Sequence, residues 1–486
     1  MIGIKRIIIT MSATWLFLIP IITVHAEISS PSDAQILHLL NRISFGPAPG
    51  DITEVRTIGI NAYIQKQLHP NILPPSYELE ERLNSLPTLH SSMKDLAQEY
   101  GLPKDEKSLP DEERKALRKR QNIVVDELAE AKILRAVMSQ AQLQEVMTDF
   151  WFNHFNVFAE KGPDKLMIGA YERDAIRPYA LGKFSDLLKA TAHHPAMLFY
   201  LDNWMNTDPM SAVARGKKTG INENYAREIM ELHTLGIKGG YSQEDVTTLA
   251  QILTGWGLSE GSDISQRTSF YFDPRRHDFG NKNWLSYKIQ GGGEQEIDHV
   301  LTILAQHPST AYHISYELAQ YFVSDDPPQS LVNKLTRTYV TSDGNIADVL
   351  GELFRAPEFW APQAVQQKFK PPFRFVVSAL RATRSVPQGD THLLQGAIAQ
   401  MGEPLYRCLT PNGYANTNDQ WLNSDALLKR IDFDKKITGF LDPMSANTIR
   451  EAMGGNWSDR TLKVVEESDP KLRPVLLLSS PEFVYY

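Results

Sequence analysis

One short segment constrains the fold of this chain more than any other. Between Phe150 and Phe158 the sequence reads Phe-Trp-Phe-Asn-His-Phe-Asn-Val-Phe, which is apolar almost all round a helix. A surface helix keeps one polar face, so a helix that is apolar on nearly every side must be enclosed by other elements. The segment therefore predicts a large surrounding core. Helical spacing over residues 111–158 predicts one long helix that ends in this segment.

Helical periodicity recurs along most of the remaining sequence, and strand character is rare. The exceptions are residues 268–272 and 286–289, which together predict one small β-hairpin within residues 267–290. We therefore expect a mainly α-helical protein, a large multi-helix assembly with a single small β-hairpin.

The length of 486 residues allows either several domains or one large one. Helical segments follow one another without a long low-complexity linker between them. We expect residues 27–486 to form a single helical domain, which could divide into lobes covering residues 27–294 and 295–486.

Bulk composition argues against several classes of protein. A mean hydropathy of −0.31 argues against a protein with many membrane spans. A net charge of −8 at pH 7 argues against a general nucleic-acid binder, because phosphate binding needs clustered Lys and Arg. The single cysteine, Cys408, allows no disulfide within the chain, so stability must come from the core.

The N-terminus predicts export. Two basic residues at positions 5 and 6 precede an uncharged run over residues 7–23, and Val24 and Ala26 provide the small side chains that signal peptidase requires. We expect residues 1–26 to be a signal peptide and the protein to be periplasmic or secreted, with no membrane span after cleavage. An uncleaved anchor remains the alternative, because the run is marginally long enough to span a bilayer.

The most promising functional feature is a short predicted helix over residues 222–233. At about 100° per residue it has one apolar side and one ionisable side. The ionisable side carries Glu223, Arg227, Glu228 and Glu231. These groups could be ordinary surface pairs, worth about 0.2–0.5 kcal/mol each. Alternatively, they could line a desolvated cleft whose carboxylates bind a metal or act as acid and base. We expect the cleft, because the aromatic segment needs a large core around it.

Two further positions carry groups that could take part in chemistry. His154 lies within the aromatic segment, where it could be a buried neutral histidine or a metal ligand or proton carrier. His277 and Asp278 lie in a loop beside the predicted hairpin, and loops often carry function. A single site requires His154, Glu228 and His277 to converge. The sequence identifies no cofactor, although a divalent metal would suit these groups.

Several stretches, in order along the chain, together resemble a bacterial family catalogued as domain of unknown function 1800. They include Phe150-Trp-Phe-Asn-His-Phe155, His277-Asp-Phe-Gly-Asn-Lys282 and residues 38–46, 176–184, 194–198, 222–236, 253–256, 307–311 and 370–371. The resemblance implies a large, mostly helical, usually exported bacterial protein without an assigned activity. Members are often encoded beside a second exported family resembling sulfatases, which implies such a protein as a partner in an envelope task.

Two functional hypotheses remain open. The first is an exported envelope enzyme, a hydrolase using acid–base or metal-assisted chemistry at a cleft of carboxylates and histidines. The second is a non-catalytic envelope protein for binding or assembly, in which the same groups form a buried polar network. The metalloprotease signature His-Glu-x-x-His does not occur in the sequence, which favours the second. The density of ionisable groups in segments that otherwise look buried favours the first.

Overall fold

The structure, a computed structural model, describes most of the chain after the N-terminal segment. It covers residues 31–103, 108–214, 220–259, 268–387, 389, 391–438 and 445–486. The predicted signal peptide, residues 1–26, lies outside these residues. Contacts group Pro31–Tyr486 into one compact unit. The division near residue 295 stays a prediction.

Helices dominate the described residues, which confirms the expected fold class. Up to residue 252 the α-helices are α1 (Asp33–Ile43), α2 (Asp51–Ile58), α3 (Ile60–Leu68), α4 (Tyr77–Asn84), α5 (Met93–Tyr100), α6 (Asp111–Met138), α7 (Gln142–His154), α8 (Asp164–Ala170), α9 (Phe184–His193), α10 (Pro195–Tyr200), α11 (Asn224–Glu231) and α12 (Gln243–Ile252). After residue 293 they are α13 (Glu294–Gln306), α14 (Pro308–Phe322), α15 (Gln329–Thr341), α16 (Ile346–Arg355), α17 (Pro372–Ala382), α18 (His392–Gln400), α19 (Asn418–Trp421), α20 (Ser424–Thr438), α21 (Ser445–Ala452), α22 (Asp459–Glu467), α23 (Arg473–Leu478) and α24 (Pro481–Val484). A π-helix, Tyr171–Ile176, extends α8 directly.

The aromatic segment lies in the middle of the core, as predicted. Trp151 and Phe155 are fully buried, and Phe150 is nearly so. The indole nitrogen of Trp151 donates a 2.9 Å hydrogen bond to the backbone oxygen of Ala180. A buried indole N–H without such a partner would be costly, so this bond fixes how α7 sits among its neighbours.

The single long helix predicted over residues 111–158 is wrong, because the chain forms two helices there. Helix α6 ends before Ser139, whose backbone is extended, and α7 begins at Gln142. The side-chain amide of Gln142 donates to the backbone oxygens of Ala136 and Ser139, at 3.0 and 2.8 Å. This side chain supplies partners for carbonyl groups that α6 leaves unpaired at its end. The spacing of apolar residues gives no indication of a cap formed by the Gln142 side chain.

The strands pair differently from the predicted single hairpin. Two separate antiparallel pairs form: β1 (Trp256–Leu258) with β2 (Phe270–Phe272), and β3 (Lys282–Trp284) with β4 (Tyr287–Ile289). The two stretches predicted to pair with each other therefore each pair elsewhere. Leu285 and Ser286 connect β3 to β4 with φ angles of +46° and +67°. Two positive φ angles define a tight type I′ turn, but Leu-Ser lacks the Asn-Gly signature by which such a turn is recognised in a sequence.

Helix α1 is held by residues more than three hundred positions later in the chain. The Nε2 atom of His38 lies 2.8 Å from the backbone oxygen of Phe359. Arg42 donates a 2.6 Å hydrogen bond to the backbone oxygen of Ala364. The guanidinium of Arg374, on α17, donates to two backbone oxygens near the end of α1, at 2.6 and 2.9 Å. Charge-assisted bonds of this kind are stronger than neutral ones, so they fasten α1 into the core.

Two findings bear on the membrane and on cross-linking. None of the helices in the described residues combines the length and apolar character needed to cross a bilayer. Cys408 is a buried free thiol, and as the only cysteine it forms no disulfide within the chain.

Candidate functional site

A cleft of about 890 Å³ opens at the C-terminal end of α7, and we call it the Glu317 cleft. Phe150, Asn153 and His154 of α7 contribute to its lining. Further lining comes from residues 231–238, which end α11 and lead away from it, from α14, and from the loop over residues 412–417. Four separate parts of the chain thus meet at one concave surface, the usual setting of a ligand site.

A carboxylate between two imidazoles marks the Glu317 cleft. Glu317 Oε2 lies 2.7 Å from His154 Nδ1, and Glu317 Oε1 lies 3.6 Å from His313 Nε2. Glu317 and His313 are half-buried, whereas His154 is buried behind them. The carboxylate is therefore within reach of a ligand while both of its oxygens face histidines.

Glu317 is held in its ionised form. Burial raises the pKa of its carboxyl group, but interactions with His154 and His313, together with a hydrogen bond from His154, outweigh that effect. The net pKa lies below the ordinary value for glutamate. At neutral pH the group is thus a carboxylate.

The two imidazoles differ in what they can do. The Nε2 atom of His154 lies 3.1 Å from the backbone oxygen of His233, so both ring nitrogens face acceptors. Because both nitrogens already face acceptors within the protein, neither is placed to take a proton from a ligand. His313 places Nε2 3.2 Å from the backbone oxygen of Leu232, and its Nδ1 has no hydrogen-bond partner within the described part of the chain. That nitrogen can carry a lone pair.

Gly236 makes room for the ring of His313. Its φ of +79° is left-handed, but Gly236 does not cap α11, because that helix ends at Glu231 and its C-cap is Leu232. A Cβ atom at this position would also lie 3.1 Å from His313 Nδ1. Glycine thus serves both the turn and the position of the imidazole.

The structure brings two of the sequence-predicted site residues, His154 and Glu231, into the lining of the Glu317 cleft. The phenol oxygen of Tyr241 lies 3.5 Å from Glu231 Oε2. Glu228 lies one turn back on α11. Burial, followed by the charge of Glu231, raises the pKa of Glu228. The C-terminal half of α11 therefore carries closely spaced acidic groups.

Arg227 and Glu223 do not lie in a desolvated cleft, and that expectation is wrong for them. Arg227 Nη2 lies 3.1 Å from Glu223 Oε2, and the two side chains are 39% and 33% exposed. Glu223 also accepts hydrogen bonds from Thr247 and Gln243 at 2.7 and 2.8 Å. The reason is that α12 runs past this end of α11 and supplies neutral polar partners, so only the last turn of α11 reaches the cleft.

His277 and Asp278 belong to a separate buried network. His277 Nδ1 lies 2.7 Å from the backbone oxygen of Thr254, and its Nε2 lies 3.4 Å from Glu296 Oε2. Lys282 Nζ approaches Glu296 Oε1 at 3.0 Å and donates to the backbone oxygen of Asp278 at 2.6 Å. Neither His277 nor Asp278 lines the Glu317 cleft. The network ties the loop before β3 to α13.

His313 and Glu317 were missed by sequence reasoning, although a signal was present. They are four residues apart on α14, a spacing that places two side chains on one helix face. The pair could have been noted as readily as the carboxylates of α11. Nothing in the sequence indicates that the loop over residues 412–417 lies opposite them, because that contact depends on the tertiary fold.

The expectation of a divalent metal stays a prediction. Within the described ranges, no three or more His, Cys, Asp or Glu side chains are grouped so that they could hold a metal ion. The Glu317 cleft presents its carboxylate paired with imidazoles instead.

The fold and the cleft together define a mainly helical protein with one polar site built around a paired carboxylate. The chain belongs to the family described as "Protein of unknown function (DUF1800)", whose model matches residues 38–485. This match confirms the resemblance drawn from the sequence. Neither the curated proteins nor the solved structures contain a match to this chain.

Proposed function

We propose that this protein is an exported envelope enzyme, a hydrolase that uses acid–base chemistry in the Glu317 cleft. The observation that supports the proposal is the ionised Glu317 beside His313, whose Nδ1 has no partner in the described structure. An imidazole with an available lone pair next to a carboxylate is a common means of activating water in enzymes.

Each residue has a defined task in this scheme. His313 Nδ1 accepts a proton from water as the water oxygen bonds to the electrophilic atom of the substrate and the bond to the leaving group breaks, and the imidazolium then passes the proton to the departed group. Glu317 stabilises the imidazolium that forms in between. His154, which faces two acceptors, holds Glu317 in position from behind.

The proposal includes export and a partner. The basic residues and uncharged run of the N-terminus support cleavage after Ala26 and a periplasmic or secreted location. A co-encoded exported sulfatase-like protein is the partner we propose for the envelope task. N-terminal sequencing of protein from the envelope fraction should begin at Glu27, and recovery of the intact chain from the cytosol would contradict export.

The catalytic proposal is tested with the chain lacking residues 1–26. It is incubated with chromogenic esters, peptides and glycosides, alongside Glu317→Gln, His313→Gln and the control Glu223→Gln on the exposed end of α11. We expect turnover of one substrate class, a loss of at least a hundredfold in the first two variants, and no change in the control. Melting curves establish that each variant is folded. Equal turnover in all four proteins, or none in any, would refute the proposal.

A second candidate, a non-catalytic protein for binding or assembly, is favoured by one observation. Buried charged groups away from the cleft form a polar network, in which Arg177 lies 2.8 Å from Glu145 and 3.3 Å from Glu172. Tyr406 donates a 2.7 Å hydrogen bond to Glu172. Such a network can serve stability alone, and in that case the Glu317 cleft would bind a ligand without turnover.

A further inference from the structure

We infer that the Glu317 cleft takes a neutral oligosaccharide as its ligand. The inference rests on the proposed function, because it names the substrate class of the same site. It is carried by the two surfaces that line the cleft, one aromatic and one made of amides, and by the small number of cationic groups between them.

The aromatic surface comes from α14. Tyr312 and Tyr316 are one helical turn apart and both line the cleft. Their ring centroids are 6.5 Å apart and their planes differ by 23°. Tyr312 is 41% exposed, so its ring is available to a ligand. Two nearly parallel tyrosines offer apolar ring faces with polar tips, and such ring faces suit the C–H faces of sugar rings.

The amide surface comes from the loop over residues 412–417. Asn412 and Asn416 line the cleft, and neither side-chain amide has a hydrogen-bond partner among the residues that the structure covers. A side-chain amide both donates and accepts hydrogen bonds. Sugar hydroxyl groups also donate and accept, so each amide can form hydrogen bonds with two neighbouring hydroxyl groups of one sugar ring.

The charges of the cleft favour a neutral ligand. Glu231 and Glu317 are acidic, and the described lining contains no arginine and a single lysine, Lys238. Phosphate and carboxylate ligands are usually held by arginine forks or clustered lysines. A polyanionic ligand would therefore meet more repulsion than attraction.

A peptide fits the cleft less well. Extended peptides commonly add to the edge of a sheet, and helical peptides need a continuous apolar groove. The described lining consists of helices and loops without a strand, and its apolar side chains alternate with amides and carboxylates. The main features that recognise a peptide backbone are thus missing from the described walls.

The test is calorimetric titration of the chain lacking residues 1–26 with three neutral hexasaccharides, cellohexaose, chitohexaose and maltohexaose. Variants are Tyr312→Ala with Tyr316→Ala, Asn412→Ala with Asn416→Ala, and Tyr312→Phe. The control is Tyr287→Ala, an exposed tyrosine of β4 that does not line the cleft. We expect one hexasaccharide to bind, with at least tenfold weaker binding in each double variant. Tyr312→Phe, which keeps the ring, and Tyr287→Ala should bind as the unaltered protein does.

Failure to bind any of the three, or equal binding by every variant, overturns the inference. Binding of a peptide that depends on Tyr312, without saccharide binding, overturns it as well. The outcome is separable from that of the proposed function. Saccharide binding without turnover supports the ligand class and refutes the hydrolase. Turnover of an ester or peptide that is lost in Glu317→Gln, without saccharide binding, supports the hydrolase and refutes the ligand class.

Discussion

At the scale of single residues, burial decides what an ion pair contributes. Arg227 and Glu223 sit on a half-exposed helix face, where water screens their attraction. Arg177 makes comparable contacts with Glu145 and Glu172, but both of these carboxylates are buried and the Arg177 side chain is only 19% exposed. Removing one partner from such a network leaves a charge that neither water nor protein satisfies.

Replacing Arg227 by alanine should therefore change stability little. We expect the free energy of unfolding to fall by less than about 1 kcal/mol, as for other exposed pairs. The matched variant Arg177→Ala should lose about 3–5 kcal/mol. Urea denaturation at pH 7 measures both values. A loss for Arg227→Ala as large as that for Arg177→Ala would mean that the exposed face of α11 is covered in the native protein.

Sequence reasoning identified two side chains of the Glu317 cleft, His154 and Glu231, for different reasons. His154 stood out because a polar residue interrupts an aromatic segment, and Glu231 because it shares a helix side with other ionisable groups. Which end of α11 meets a cleft depends on how α12 packs against it. That contact is a property of the tertiary structure and has no local signal, so Arg227 and Glu223 were placed wrongly.

At the scale of elements, one loop completes the cleft. Asn153 of α7 donates to the backbone oxygen of Tyr414 at 2.8 Å and accepts from its backbone nitrogen at 2.7 Å. Asn156 donates to the backbone oxygens of Cys408 and Thr410 at 3.0 and 2.9 Å. These hydrogen bonds hold the loop against the C-terminal end of α7. They thereby set the distance between the loop and the other sides of the Glu317 cleft.

Gly413 is the position in this loop where a larger side chain should be most disruptive. Its φ is +64°, and a Cβ atom there would overlap the backbone oxygen of Asn153. We expect Gly413→Ala to lower the free energy of unfolding by about 2 kcal/mol or more, because backbone strain of about 1–3 kcal/mol adds to the overlap. Differential scanning calorimetry measures the effect. Gly455→Ala is the matched control, since Gly455 has a similar φ of +77° but open space at the Cβ position. Equal losses in the two variants would show that the close approach to Asn153 is unimportant.

Elements were predictable wherever a local pattern governs them. Helical spacing is an example, because it was legible in the sequence. The break between α6 and α7 was not, because Gln142 closes it with a side-chain amide that also suits a helix interior. The pairing of β1 with β2 was not predictable either. The two strands are not adjacent in the sequence, and strands of three residues carry no register signal of their own.

At the scale of the whole molecule, a buried charge network joins distant elements. Glu172, in the π-helix after α8, contacts Arg177 and accepts from Tyr406. Burial raises the pKa of Glu172, but the charges of Lys132, Arg177 and Arg135 outweigh it and leave the pKa below the ordinary 4.5. A carboxyl group with a lowered folded-state pKa stabilises the fold above its unfolded pKa. The contribution is lost as the pH falls through the folded value.

The variant Glu172→Gln should therefore be destabilised most at neutral pH. We expect a loss of about 3–5 kcal/mol at pH 7, because the surrounding cations lose their partner. The difference from the unaltered protein should shrink as the pH falls below about 4.5, where the carboxyl group of the unfolded chain takes up a proton, and it should be smallest once the pH has passed the lowered folded-state pKa. Urea denaturation across pH 3–7 measures the trend. Glu78→Gln, on an exposed pair with Arg82, should show little effect at any pH. A difference for Glu172→Gln that does not vary with pH would contradict the assigned charge.

The distant attachment of α1 has a consequence for the order in which the chain folds. His38 and Arg42 have their backbone partners at Phe359 and Ala364, so bringing them together closes a loop of more than three hundred residues. Closing so long a loop is entropically costly until intervening elements have formed, and contacts of high sequence separation slow folding. Helix α1 is synthesised before most of the domain, yet we expect it to dock among the last. In the finished fold α2, α3 and α7 also pack against α1, but until residues 359–374 emerge the face that carries His38 and Arg42 lacks its native partners, so the unfinished chain depends on whatever shields that face.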